Sequence, residues 1–389
     1  MAKRFNTLEK FIKLFTSELN LDEIERLIKR DAPGVYDFYA RDIEKSDARK
    51  GHLSRGLIFF RKLFEAFLTK LTPTRRVLYA ICLIFFFYGW FLDRWPWAIL
   101  AFLLLNFLLA LEVADKLMVK DELEVARDIQ MKLMPNNPPR PLRADVACFA
   151  EAAKEVGGDY FDFLYRPDDP DSIYIVMADI SGKGMAAALH MVQVRTILHS
   201  LIQKYESPRE ILIALSAQIS QFFRPDFFLT ISLAAIDANL NVRFCRAGHM
   251  PLLHFQKKYQ KFTEIIPQGV GIGLPDPVDF AESLEEKKFK IAPGDLLFLH
   301  TDGVVETMDF RREQFGENRL LEILLKHRDD NPENIKKALL RELAAFRGAA
   351  PPHDDLTFVI YKVKEETRAV ASPPVKRIDE QSAKKEKQV

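Results

Sequence analysis

The sequence predicts an α+β protein in which a helical N-terminal region and a pair of long apolar helices precede one globular domain of mixed strands and helices. Three observations predict it. Two uncharged apolar runs, Val77 to Leu92 and Trp95 to Leu111, are separated only by Asp93 and Arg94. A charged stretch without Gly or Pro, Glu112 to Met134, follows them. From there, residues 142–364 alternate short Val, Ile, Leu and Phe runs with stretches of helical periodicity.

The composition narrows the function classes. With 56 basic and 55 acidic side chains the net charge is +1, which excludes a globally basic nucleic-acid binder and an acidic tail protein. A hydrophobic content of 48% supports a real core and excludes a mainly disordered chain. Three cysteines cannot form a disulfide framework, so the chemistry is expected to face a reducing cytosol.

Taken in order, residues 1–72 read as a helical N-terminal region. Within it, the stretch from Arg49 to Arg76 carries eight Lys or Arg and a single acid, Glu65. A basic amphipathic helix beside a membrane span lies on the anionic inner leaflet; a plain packed helix would carry the same pattern. Residues 73–112 read as a transmembrane hairpin. Each run is slightly short of the ~20 residues that span a bilayer, and flanking residues cover the gap. Trp90, Trp95 and Trp97 cluster at the turn, where interfacial aromatics belong, and Lys70, Arg75, Arg76, Lys116 and Lys120 flank the open end. This bias places both flanks in the cytoplasm and the chain in the inner (cytoplasmic) membrane as a multi-pass protein. Residues 113–135 read as a linker helix, with Leu123, Ala126, Gln130 and Leu133 spaced as a coiled-coil seam that would pair with a second copy in a homodimer. Residues 136–364 form the globular domain, and residues 365–389 a solvated, disordered tail.

The chemistry is carried by carboxylates at strand ends. SIYIVMAD ends at Asp179, DLLFLHTD ends at Asp302, LTFVIYKV starts just after Asp354 and Asp355, and EVGGDYFDF holds Asp159 and Asp162. An Asp at the exit of two strands and at the entry of an antiparallel third would meet at one sheet edge. Converging carboxylates repel, and a cation resolves the repulsion; oxygen ligands suit Mg²⁺ or Mn²⁺ over Zn²⁺. Two such ions sharing a carboxylate would activate a water and polarise a phosphoryl oxygen without a covalent nucleophile. Taken alone, each Asp reads as a turn residue; four in one domain, each beside a strand, read as a site. The Gly157-Gly158-Asp159-Tyr160-Phe161 run is close to a diguanylate cyclase signature but has Tyr at its fourth position, and no P-loop or G-x-S-x-G is present.

The ordered set LEVARDIQMKLMP, EVGGDYFDF, MADISGKGMAAAL, FFLTISLAAID, RAGHMPLL, GVGIGLP, APGDLLFLHTDGVVE with FGENRL, and HDDLTFVI resembles the SpoIIE-type, RsbU-like branch of the metal-dependent (PPM) serine/threonine phosphatases, the protein phosphatase 2C-like group. The resemblance covers about residues 123–363 and implies an α-β-β-α sandwich phosphatase domain binding two Mn²⁺ or Mg²⁺ ions. By motif match, Asp179 takes the bridging role and the Ile180 carbonyl binds the second metal. Asp302 and Asp354 complete the first, and Asp159 holds the second directly or through water. Asp179, Asp302 and Asp354 are the catalytic set. Asp162 and Asp355 are weaker candidates, Lys183 is a possible phosphate attractor, and Arg246 and His249 stand either as loop anchors or near substrate. The family's usual substrate is a phosphorylated STAS-domain anti-anti-sigma protein in a partner-switching circuit. Met250 departs from the pattern, which usually has Asn there.

Overall fold

The structure is a computed structural model and describes residues 61, 64–65, 67–135, 137–154, 156–182, 184–221, 227–274 and 276–365. The expected helices before residue 61, Lys183 and the expected tail beyond Glu365 lie outside the described residues. The chain divides into two compact units at Met118/Val119.

In the first unit, α1 (Pro73–Phe91) and the start of α2 (Trp95–Leu133) run antiparallel around a turn at Asp93, whose φ is 52°. At the open end, Arg75 donates to Glu112 at 2.7 Å and to Asp115 at 2.6 Å. Near the turn, Trp97 packs against Phe85 and Tyr88 at centroid distances of 5.1 and 5.8 Å. Cys82, Gly89, Ala101 and Leu108 are buried, while Phe86, Phe87, Phe91, Phe102 and Leu103 are exposed. The hairpin therefore buries a narrow seam and leaves most of its apolar surface outward.

The second unit is a sandwich of two five-stranded antiparallel sheets with helices outside, as the resemblance implies. Its strands are β1 (Ala144–Glu151), β2 (Asp159–Arg166), β3 (Asp169–Ile180), β4 (Leu229–Ile236), β5 (Asn241–Ala247), β6 (Leu252–Gln256), β7 (Lys261–Ile265), β8 (Glu286–Lys290), β9 (Leu296–His300) and β10 (Leu356–Val363). One sheet has the order β1-β10-β9-β6-β7 and the other β2-β3-β4-β5-β8. Helices α3 (Met185–Lys204) and α4 (Pro208–Ile219) cover the second sheet. The short α5 (Pro277–Ser283) packs against α4, and α6 (Asp302–Val305) follows β9. Helices α7 (Gly316–Lys326) and α8 (Pro332–Arg347) cover the first sheet.

The unbroken apolar runs of β9 and β10 follow from this layering. Leu297, Leu299, Val359 and Tyr361 join the core between the sheets, whereas Leu296, Phe298, Phe358 and Ile360 join a second core under the outer helices. With both faces buried, the period-2 alternation of a strand carries no polar residues. Helix α3 is nearly as apolar as α1, with a mean hydropathy of 1.2 against 1.3, yet Met191, Val194 and Leu198 are fully buried on its sheet side. Its Arg195 donates from Nε to the Leu133 carbonyl at 2.9 Å, satisfying an orphan acceptor at the end of α2.

Candidate active site

The β2–β3 register sets Asp159 directly opposite Asp179. At this open end of the pair, the Ile180 amide donates to the Gly158 carbonyl at 3.3 Å. A β-carbon on Gly158 would stand 2.6 Å from the Ile180 carbonyl oxygen and 3.1 Å from Asp179 Oδ1, so only glycine lets the two oxygens sit this close to the loop. On the facing sheet, the β9–β10 register pairs His300 with Phe358, which brings the exit of β9 beside the entry of β10. There the Asp302-Gly303 turn lies flat on Asp354-Asp355: a β-carbon on Gly303 would meet the Asp355 carbonyl oxygen at 1.8 Å.

The two halves are joined across the sandwich. Thr301 Oγ1 donates to Asp159 Oδ2 at 2.8 Å. Asp355 accepts from the Ala153 amide at 2.8 Å and from the Gly158 amide at 2.7 Å. Asp159 and Asp179 thus stand at the end of one sheet, and the segments that carry Asp302 and Asp354 follow and precede strands of the other. The sequence expectation of a single sheet edge is corrected in this respect: β9 and β10 are indeed antiparallel, but β3 belongs to the other layer.

The electrostatics follow from burial. Asp159 is buried, and its carboxyl titrates well above the usual range, first because it is desolvated and then because Asp179 and Asp355 repel its charge. The hydroxyls of Thr301 and Thr357 pull the other way without compensating. Among the described residues, no three His, Cys, Asp or Glu side chains close around one point as a complete metal cage. The candidate donors, carboxylates and the Ile180 carbonyl, are hard oxygens of the kind that Mg²⁺ or Mn²⁺ takes.

Several residues fall to supporting roles. Asp162 lies three positions from Asp159 in β2 and so on the opposite face. It accepts from Tyr160 Oη at 2.9 Å, contacts His199 Nε2 at 2.9 Å and pairs with Arg195 at 3.5 Å, which removes it from the candidate site. Asp355 fixes the glycine loop. Arg246 donates to the carbonyls of His249 and Pro267, and His249 Nδ1 lies 2.9 Å from Thr230 Oγ1, so both anchor their loop. Burial, together with His300 and Arg246 nearby, pushes His249 down to about 3, leaving it neutral at physiological pH.

Two contributors escape a motif reading. Thr301 is an ordinary hydroxyl between a strand and an Asp. Gln130, read from its spacing as part of a dimer seam, is buried within its own chain. Its Nε2 donates to the Gly157 carbonyl at 2.7 Å, and the Gly157 amide donates to its Oε1 at 3.2 Å. The end of α2 is thereby fastened two residues from Asp159.

The chain is a PP2C-type protein serine/threonine phosphatase, with the fold of that class. The family described as Stage II sporulation protein E (SpoIIE) matches residues 169–364, and the chain belongs to that family. The match takes in Asp179, Asp302 and Asp354 and begins after Asp159. The chain is similar to the phosphoserine phosphatase RsbU of Bacillus subtilis, 26% identical over 63% of this chain and 71% of that protein. It is similar also to the protein IcfG of Synechocystis, 28% identical over 65% of this chain but 43% of that protein. The SiaA PP2C domain of Pseudomonas aeruginosa has the same fold, with a TM-score of 0.56 at 20% identity over 64% of this chain and 99% of that domain.

Because Gly158 leaves no room for a methyl group beside the Ile180 carbonyl, Gly158→Ala is expected to lower phosphatase activity at least tenfold while the far-ultraviolet circular dichroism stays native. Wild-type turnover in this variant would show that the close approach is dispensable.

Proposed function

We propose that this chain is a membrane-anchored phosphatase that uses two Mn²⁺ or Mg²⁺ ions to hydrolyse phosphoserine or phosphothreonine on a phosphorylated STAS-domain protein in a partner-switching pathway. The observation that carries the catalytic part is the buried Asp159 carboxyl, opposed to Asp179 and tied across the sandwich to Thr301. Asp179 would bridge the ions, Asp302 and Asp354 would complete one site, and Asp159 and the Ile180 carbonyl the other. When bound, the ions supply an activated water and draw charge from the phosphoryl oxygens. The chain's own part is to hold the carboxylates in position, since burial by itself favours the protonated form of Asp159. Thr301 fixes Asp159, and Asp355 fixes the loop that carries it. Membership of a metal-dependent phosphatase family supports the ions, and the similarity to a protein named phosphoserine phosphatase supports the substrate class.

Anchoring is supported by two helices long and apolar enough to cross a bilayer, α1 with a mean hydropathy of 1.3 and α2 with 2.2 over their best windows. Outward Phe86, Phe87, Phe91 and Phe102 suit lipid, and basic residues at the open end favour a cytoplasmic location for both flanks. We further propose that α2 couples a homodimer seam, formed by Leu123, Ala126 and Leu133, to the site through Gln130 and Gly157. The uninterrupted course of α2 from Trp95 to Leu133 supports it.

Hydrolysis of p-nitrophenyl phosphate is expected to stop with chelator and return with Mn²⁺ or Mg²⁺, and Asp179→Asn should abolish it in a folded protein. Full activity in that variant would reject the bridging role, because a neutral amide holds two cations poorly.

In a chain whose three native cysteines are replaced, an impermeant thiol reagent applied outside cells should label Asp93→Cys but neither Ala40→Cys nor Lys326→Cys. Labelling of Ala40→Cys from outside would reject the hairpin.

One residue inserted near position 120 rotates the two ends of α2 by ~100°, and seven restore the phase. Turnover is expected to change with the first and recover with the second. Indifference to both would reduce α2 to a spacer.

A further inference from the structure

A cavity of about 730 Å³ opens beside Asp302. Met250, Val305 and Phe315 supply its apolar lining, and Glu306 and Glu317 its charged rim. The wall between them is stiff. Thr307 Oγ1 donates to the Gly303 carbonyl and the Phe315 amide to the Thr307 carbonyl, both at 2.8 Å. The Asp309 carboxylate takes the amides of Arg311 and Glu313 at 2.8 and 2.9 Å.

The cation at this rim is already engaged. Arg319 Nη1 donates to the carbonyls of Gln314 and Phe315 at 3.0 and 2.9 Å, and its guanidinium lies 4.8 Å from the Phe346 ring centre. Asp302, assigned above to the ions, also lines the cavity; apart from it, Glu306 and Glu317 stand against this one guanidinium. Apolar and acidic side chains lining one cavity suit one kind of side chain, an aliphatic stem with a cationic head. The cavity's size lies within the range of small-ligand pockets, ~300–1,000 Å³.

We propose that this cavity receives a residue flanking the phosphorylated serine or threonine of the substrate protein and selects Lys or Arg there. The stem packs on Met250 and Val305, and the head lies between Glu306 and Glu317. The proposal rests on the phosphatase reading and adds a specificity that the reaction itself does not require. Met250, where the sequence departs from its family's pattern, becomes a contact with substrate.

The test uses the full chain in detergent with Mn²⁺ and phosphoserine peptides that differ only at one of the two positions on either side of the phosphoserine, where Lys, Ala or Glu is placed. At one of these positions kcat/KM is expected to be roughly tenfold higher for Lys than for Glu, two partly exposed charge contacts being worth about that much. Glu317→Lys, at an exposed site, should bring that ratio to about one or below, and Met250→Asn should lower kcat/KM for the Lys peptide more than for the Glu peptide. The ratio is internal to each variant, so a general loss of activity cancels. Equal kcat/KM at every position, a preference indifferent to Glu317→Lys, or turnover of p-nitrophenyl phosphate without turnover of any peptide would overturn the proposal while leaving the phosphatase reading in place. Inertness toward p-nitrophenyl phosphate and all peptides would overturn both.

Discussion

Asp159 is a carboxyl group kept where a charge is costly, and much of the second unit is arranged around keeping it there. It lies at the end of β2, out of water, opposite Asp179 and near Asp355. Left to itself, such a group would take up a proton or swing toward solvent. The Thr301 hydroxyl from the facing sheet prevents the second outcome, and the Asp355 carboxylate grips the backbone just before Asp159. The sandwich is therefore fastened at this end by polar contacts as well as by the apolar core, and those contacts use the same groups that give the site its negative charge.

Most of this arrangement was legible in the sequence, though unevenly. The apolar runs and the aspartates at their ends stood out because buried strands and turns have distinct compositions. Assignment to sheets did not, because β9 and β10 are apolar on both faces and their alternation is invisible until Leu297 and Phe298 are seen to enter different cores. Asp162 could have been set aside from spacing alone, since three residues along a strand reverse the face. Gln130 was read as part of a seam with a second copy, because spacing alone cannot say that its partner is the same chain's Gly157. Thr301 gave no signal, because a hydroxyl at a strand exit is common and its acceptor is 142 positions away.

The amide of Gln130 explains how a helix can be fixed to a glycine that has no side chain of its own to offer. A carboxamide presents one donor and one acceptor, and the Gly157 backbone presents the complementary pair. Neither an acid nor a lysine at that position could satisfy both without burying an unpaired group. The contact is buried, so losing it would leave polar atoms without partners, and this keeps the end of α2 and the loop moving together.

Helix α3 poses a problem during synthesis. It is long and apolar enough to enter a bilayer by itself, and it emerges after two segments that are. What separates it from them is Arg195 near its middle. An arginine at the centre of a span costs about 2.5–3.5 kcal/mol on insertion, which disfavours lipid for this segment and leaves it for β2 and β3, already made before it. Folded, the same guanidinium donates to the Leu133 carbonyl and pairs with Asp162. One side chain thus makes lipid a poor place for this helix and fastens it in the finished domain.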